Sequence, residues 1–123
     1  MVILRQEQFD ALAADAQRRF EDELRRFLLS GYPRAVAGIA EGELRTRIAS
    51  AVARAAASHG LTFQSSIAVF VAATFTAGER FDEYPPIAAI LARPSSEERR
   101  MKRLQDLPEG VWTAARAFCD ERG

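Results

Sequence analysis

From about Arg5 to Leu29, the apolar residues Phe9, Leu12, Ala16, Phe20, Leu24 and Phe27 recur at steps of three or four, which gathers them on one stripe of a helix. The other faces carry Asp10, Asp15, Arg18, Arg19, Glu21, Asp22, Arg25 and Arg26. Glu21 with Arg25 and Asp22 with Arg26 stand four apart, and each pair favours a helix by roughly a few tenths of a kcal/mol. Ser30-Gly31-Tyr32-Pro33 ends the helix, with Gly31 as the expected C-terminal cap and Pro33 unable to continue the ladder. Arg34 to Ala40 can form a short helical turn. Leu44, Ile48, Val52 and Ala55 then set a helix from about Glu43 to Ser58, closed by His59-Gly60.

Thr62 is placed to cap the next helix, whose centre from Ile67 to Ala73 is apolar on nearly every side and so predicts the most buried element. Its β-branched content also permits a strand, but its length and the absence of any partner strand favour a helix. Gly78 to Pro86 is the longest irregular stretch. Pro86 opens a short helix through Leu91, and Arg93-Pro94 breaks it. Ser95 with Glu98 reads as a capping box for a charged helix ending near Leu104. Asp106 with Glu109 reads as a second box, Pro108 lying in the first turn of a last helix that lines up Val111, Trp112, Ala115 and Phe118. These elements predict an all-α chain, a single compact helical domain over residues 1–123, with about five to six helices led by a long amphipathic one. No repeat or linker divides it.

Composition narrows the function classes. The chain of 123 residues is 48% hydrophobic, enough for one core. Lys plus Arg and Asp plus Glu are equal at 17 each, and the two signs are interleaved, so neither nucleic acid nor a membrane is an expected partner. Cys119 is the only cysteine, which excludes an internal disulfide. Met1-Val2-Ile3-Leu4-Arg5 lacks the longer apolar stretch of a signal peptide, and a cytoplasmic location is expected. Lys102 is the single lysine, a bias without functional content.

Candidate chemistry is sparse. His59 is the only histidine, so two-histidine metal sites are excluded, and at a helix end its expected role is a favourable interaction with the helix dipole. Cys119 beside Phe118 reads as a packed, inert thiol. The acidic pairs Glu41/Glu43 and Asp82/Glu83 lie in expected loops without the spacing of a calcium site, and Gly38, Gly42, Gly60 and Gly78 are too isolated to cradle a phosphate chain. Neither a catalytic residue, a metal site nor a cofactor is expected. The most informative segment is Phe81-Asp82-Glu83-Tyr84-Pro85-Pro86, because two aromatics in a polar, proline-bounded loop need somewhere to go. Either they pin the loop to the core or they form a partner-facing patch. Phe81, Asp82, Tyr84 and Pro85 are accordingly the candidate partner-binding residues.

Leu4-Arg5-x-Glu7-Gln8, Tyr32-Pro33, Leu44-Arg45-x-x-Ile48, His59-Gly60-Leu61 and Gly78-x-x-Phe81-Asp82-x-x-Pro85 followed by Ile90-Leu91 form a pattern over residues 4 to 104. It resembles a family of small bacterial all-helical proteins often encoded beside type VI secretion effector genes. Members often carry Tyr-Gly-Ile where this chain has His59-Gly60-Leu61, and a tryptophan where it has Pro86-Ile87-Ala88. The resemblance implies an accessory or adaptor protein that binds another protein, such as a secreted effector, and not an enzyme. Alternatives are an immunity protein that neutralises a cognate toxin, for which a dense charged patch is expected, a small enzyme using His59 or a carboxylate pair, and a helix-turn-helix binder. A homo-oligomer paired through the first helix is also compatible with the pattern.

Overall fold

A computed structural model describes residues 6 to 122, with side chains from residue 13 onward. The expectations for Met1 to Arg5, and for the side chains of Phe9 and Leu12, lie outside the described residues. Seven α-helices and no strand occur among those residues: α1 (Gln6–Gly31), α2 (Pro33–Val36), α3 (Glu41–His59), α4 (Gln64–Thr76), α5 (Pro85–Leu91), α6 (Glu97–Gln105) and α7 (Glu109–Arg122), with one 3-10 turn at Phe81–Glu83. The all-α expectation holds. The extra helix relative to the expected five to six is the single turn α2, opened by Pro33 at its first position.

α4 is the central element and packs against α1, α2, α3 and α6. Phe70 to Phe75 are all buried along it, as its apolar sequence requires. α3 brings Leu44, Ile48, Ala51, Val52 and Ala55 inward at helical spacing, so its expected stripe is met in full. Gly60 follows with φ 64°, a left-handed conformation that glycine adopts without strain. The N–H groups of Gly60 and Leu61 then donate to the carbonyls of Ala56 and Ala55. The core is one continuous cluster in which Phe70, Phe81, Leu28, Ile48, Leu61, Ile87 and Leu104 are wholly enclosed.

α1 departs from its expected stripe at one end. Leu24 and Leu28 are the buried residues, whereas Phe27 is 40% exposed. Once Leu24 points inward, the residue four further on follows it, and Phe27 is turned toward the edge. Ala13 to Arg19 are exposed throughout. Gly31 also differs from expectation: it is the last helical residue, is not left-handed, and lies before the break made by Tyr32-Pro33.

Three helix ends are held differently from their local sequence. Phe63, not Thr62, occupies the N-cap position of α4 and offers no side-chain bond. Glu97, from the start of α6, supplies it: the carboxylate accepts from the backbone N–H of Thr62 (2.9 Å), the Thr62 hydroxyl (3.0 Å) and the Phe63 N–H (2.9 Å). Partial burial would push this carboxyl up, but the bonds from Phe63, Ser66 and Thr62 outweigh it and hold Glu97 at about 2, against an ordinary 4.5. The cap of α6 is Ser96, which accepts from the Arg99 N–H at 3.2 Å, one residue later than the Ser95/Glu98 box. Asp106 closes α6 and receives Lys102 at 3.0 Å, so it does not cap α7. Arg100 fastens two more ends, donating through Nη1 to the carbonyls of Leu91 (2.8 Å) and His59 (3.3 Å), where a cation meets the negative poles of α5 and α3.

Candidate functional site

The loop from Gly78 to Pro86 turns inward. Phe81 is fully buried, its ring 4.9 Å from that of Phe70 and 6.2 Å from that of Trp112. Tyr84 is half-buried against Phe118, with ring centroids 5.5 Å apart, and only Pro85 of the four candidate residues is exposed. Phe81 and Asp82 therefore cannot touch a partner in this conformation. The physical reason is the core-pinning alternative: burying a phenyl ring among two other aromatics stabilises the fold more than leaving it in water.

Asp82 follows Phe81 inside, with its side chain only 2% exposed. Its Oδ2 meets His59 Nε2 at 2.7 Å and Arg54 Nε at 2.8 Å, while Oδ1 is buried without a partner. Burial acts to raise this carboxyl, but the bonds from His59 and Arg54 prevail and hold it below the usual range. The cluster joins the 3-10 turn to α3 across 23 and 28 residues of sequence. It amends the expectation for His59, which ends α3 as foreseen but is also bonded to a carboxylate.

Chemically, a His–Asp pair is two thirds of a nucleophilic triad, and the missing part is the nucleophile. No hydroxyl or thiol is hydrogen-bonded to His59 among the described residues. Cys119 lies against Gly78 instead, and burial pushes its thiol up from its ordinary value, which disfavours the reactive thiolate. Glu41 is clamped by Arg25 (2.6 and 3.0 Å) and Arg45 (3.0 Å), with Asp22 on the far side of Arg45 at 2.6 Å. This exposed network ties α1 to α3. Glu83 faces Arg80 and Arg54 on the surface, so neither acidic pair presents two facing carboxylates. No group of three or more potential metal ligands occurs among the described residues.

The surface holds a second, apolar feature. A furrow of about 740 Å³ runs along the outer face of α4, with Ser65, Ala68, Val69, Ala72 and Thr76 on its floor, Phe27 and Tyr32 on one wall and Trp112 with Gln105 on the other. It continues at one end past Phe63 and Met101, and at the other past Pro33 and Arg116. Phe27, Tyr32 and Phe63, three of the four large apolar side chains that are exposed among the described residues, lie along it; the last two are 37% and 50% exposed, and Phe27 meets Tyr32 edge to face at 5.5 Å. The residue spacing singles out neither Phe63 nor Tyr32. The available signal is that α4 is apolar on every side, more than one core can cover. No helix among the described residues is long and apolar enough to cross a membrane. Set beside protein-family models, curated proteins and solved structures, the chain finds no match in any of the three.

Proposed function

We propose that this chain is a non-catalytic, cytoplasmic accessory or adaptor protein that binds a partner protein, in line with the family resemblance a secreted effector, by seating an amphipathic helix in the α4 furrow. The observation that carries the reading is the furrow itself. Exposed aromatic side chains border a trough whose floor is made of small residues about one helical turn apart, a shape that admits the apolar face of a second helix. α4 has 13 residues and is therefore about 20 Å long, which gives a partner helix room for three to four turns. A non-enzymatic role is supported by the way His59, Asp82, Glu41 and Cys119 are each engaged in holding the fold.

The test is native co-purification with the wild-type chain beside Ala68→Glu and Tyr32→Ser, both at the furrow, with circular dichroism to confirm unchanged helix content. A stoichiometric partner that is recovered by the wild type and lost by both variants supports the reading. Recovery of the chain alone, or a partner retained by both variants, overturns it. Light scattering on the purified chain identifies the case in which that partner is a second copy.

A further inference from the structure

A smaller pocket, lined by residues of α3 and α4 that the furrow does not use, carries two arginines. It encloses about 270 Å³ between Thr46, Arg47, Ser50 and Arg54 of α3, Thr74 of α4 and Glu79 of the following loop. Residues 46, 50 and 54 are spaced four apart and share one face of α3, and Arg47 leans in beside them. Two guanidinium groups and a serine hydroxyl meet there, with Glu79 the carboxylate in the pocket wall, while Asp82 and Glu83 approach Arg54 from outside it.

Neither arginine is free to move away. Arg47 lies over the Phe75 ring, 4.6 Å from its centroid, which fixes the plane of the guanidinium. Arg54 is held by Asp82 through Nε. The Nε of Arg47 is shielded from solvent and has no hydrogen-bond partner. Glu79 Oε1 stands 3.2 Å from it but out of line for a hydrogen bond, on a side chain that is 69% exposed. The charge of Arg47 is paired with Glu79, but its Nε–H is not aligned on an acceptor, and that hydrogen bond is left for a ligand to make. The hydroxyl protons of Thr46 and Thr74 go to the carbonyls of Gly42 and Val71, so these two oxygens remain as acceptors. The Ser50 hydroxyl has no bond of this kind.

From this arrangement we infer a binding site for a small phosphomonoester, with the phosphate between Arg47, Arg54 and Ser50. A carboxylate ligand would only replace Glu79 by its like. A phosphate brings close to two charges and three acceptor oxygens, enough to satisfy the idle Nε and displace the exposed Glu79 side chain. Asp82 and Glu83 offset the Arg54 charge, so Arg47 carries most of the attraction and the expected affinity is roughly millimolar. Thr46 and Thr74 accept from a P–OH or from hydroxyls on the body of the ligand. This site is independent of the α4 furrow.

The test is an amide chemical-shift titration of the full chain with inorganic phosphate, with sodium acetate at matched ionic strength as the control. Saturable shifts at Arg47, Ser50 and Arg54 with phosphate alone are expected. Arg47→Gln is expected to weaken binding about ten-fold or more, and Glu79→Gln to tighten it about three-fold, through loss of the matched donor and of the competing charge. Glycerol 3-phosphate and a phosphoserine peptide, titrated in parallel, separate a metabolite from a modified side chain, and tighter binding of either than of inorganic phosphate supports the site. No saturation by about 50 mM phosphate, far above the millimolar range expected of a charge-assisted contact, overturns it. So do equal shifts with acetate, or an Arg47→Gln chain of unchanged helicity that binds as the wild type does.

Discussion

The loop at Phe81–Asp82 and the furrow along α4 invert each other. One places a carboxylate among aromatic rings in the interior, and the other leaves aromatic rings in water. The buried carboxylate is matched at Oδ2 by the His59 ring and the Arg54 guanidinium, so most of its cost is met within the chain. The exposed rings have no such match, and a partner is what would provide one. Substitutions should therefore separate the two regions, with the first changing folding and the second changing binding.

Asp82→Ala should produce the largest loss. Removing the carboxylate strips the common acceptor from His59 and Arg54 and unties the 3-10 turn from α3, at a cost of about 3 kcal/mol. Urea denaturation should show the midpoint falling, and a change within 0.5 kcal/mol or so would mean that the cluster is a surface pair of ordinary value. Gly78→Ala should come next, at about 2 kcal/mol. A Cβ there would stand 2.5 Å from Cys119 Cβ and 2.6 Å from its Sγ, and φ is 129°. Cys119→Ala should relieve little of this, because the Cβ contact and the dihedral both remain. Full rescue in a thermal melt would show that the sulfur alone is the obstacle.

How far the sequence foretold these regions depends on how far apart their interacting residues lie. Leu44, Ile48, Val52 and Ala55 announce their helix because spacing along one chain segment determines a helical face, and the structure buries all four. Gly60 and Pro33 act within a residue or two of where they stand, and both breaks fall as expected. Glu97 caps α4 across 34 and 35 residues, and His59 reaches Asp82 across 23, so neither pairing leaves a local trace. Ser95 and Ser96 are adjacent and chemically alike, and only the backbone geometry selects the second as the cap. Phe27 lies off the expected buried stripe for a related reason: an apolar run at positions 27, 28 and 29 fits a stripe in more than one phase, and packing against the body chooses Leu28.

Glu97→Gln should have an intermediate effect, about 1 kcal/mol at neutral pH, because a neutral amide caps α4 less well than a carboxylate. Its pH dependence has a defined sign. Glu97 is held at about 2 when folded against an ordinary 4.5, so it binds fewer protons in the folded chain than in the unfolded one. The stabilisation is fully present above about pH 5 and is lost as pH falls toward 2. Asp82, also lowered, adds a loss of the same sign at acid pH. Acid titrations of stability should show the Gln variant approaching the wild type as pH drops through this window. A constant gap down to pH 2 would mean that the carboxylate charge contributes nothing to the cap.

The smallest effect on folding is expected at Phe63. Its ring is 50% exposed at the N-terminus of α4, and it is its backbone that holds the fold, the N–H donating to Glu97 and the carbonyl accepting from the Ile67 N–H. Phe63→Ser keeps that N–H and removes a side chain that is half in water, so stability should move by no more than about 0.5 kcal/mol. Serine at an N-cap position can itself accept a bond from the first turn, which works against even that small loss. Partner recovery should nevertheless fall if a helix lies along the whole furrow, since Phe63 borders one end of it. A variant that melts like the wild type and still recovers its partner in full would confine the docking surface to the stretch between Phe27 and Trp112. If instead the variant is destabilised by more than 1 kcal/mol or so, the ring supports the fold, and the contrast between a self-satisfied interior and an unmatched surface fails at this end of α4.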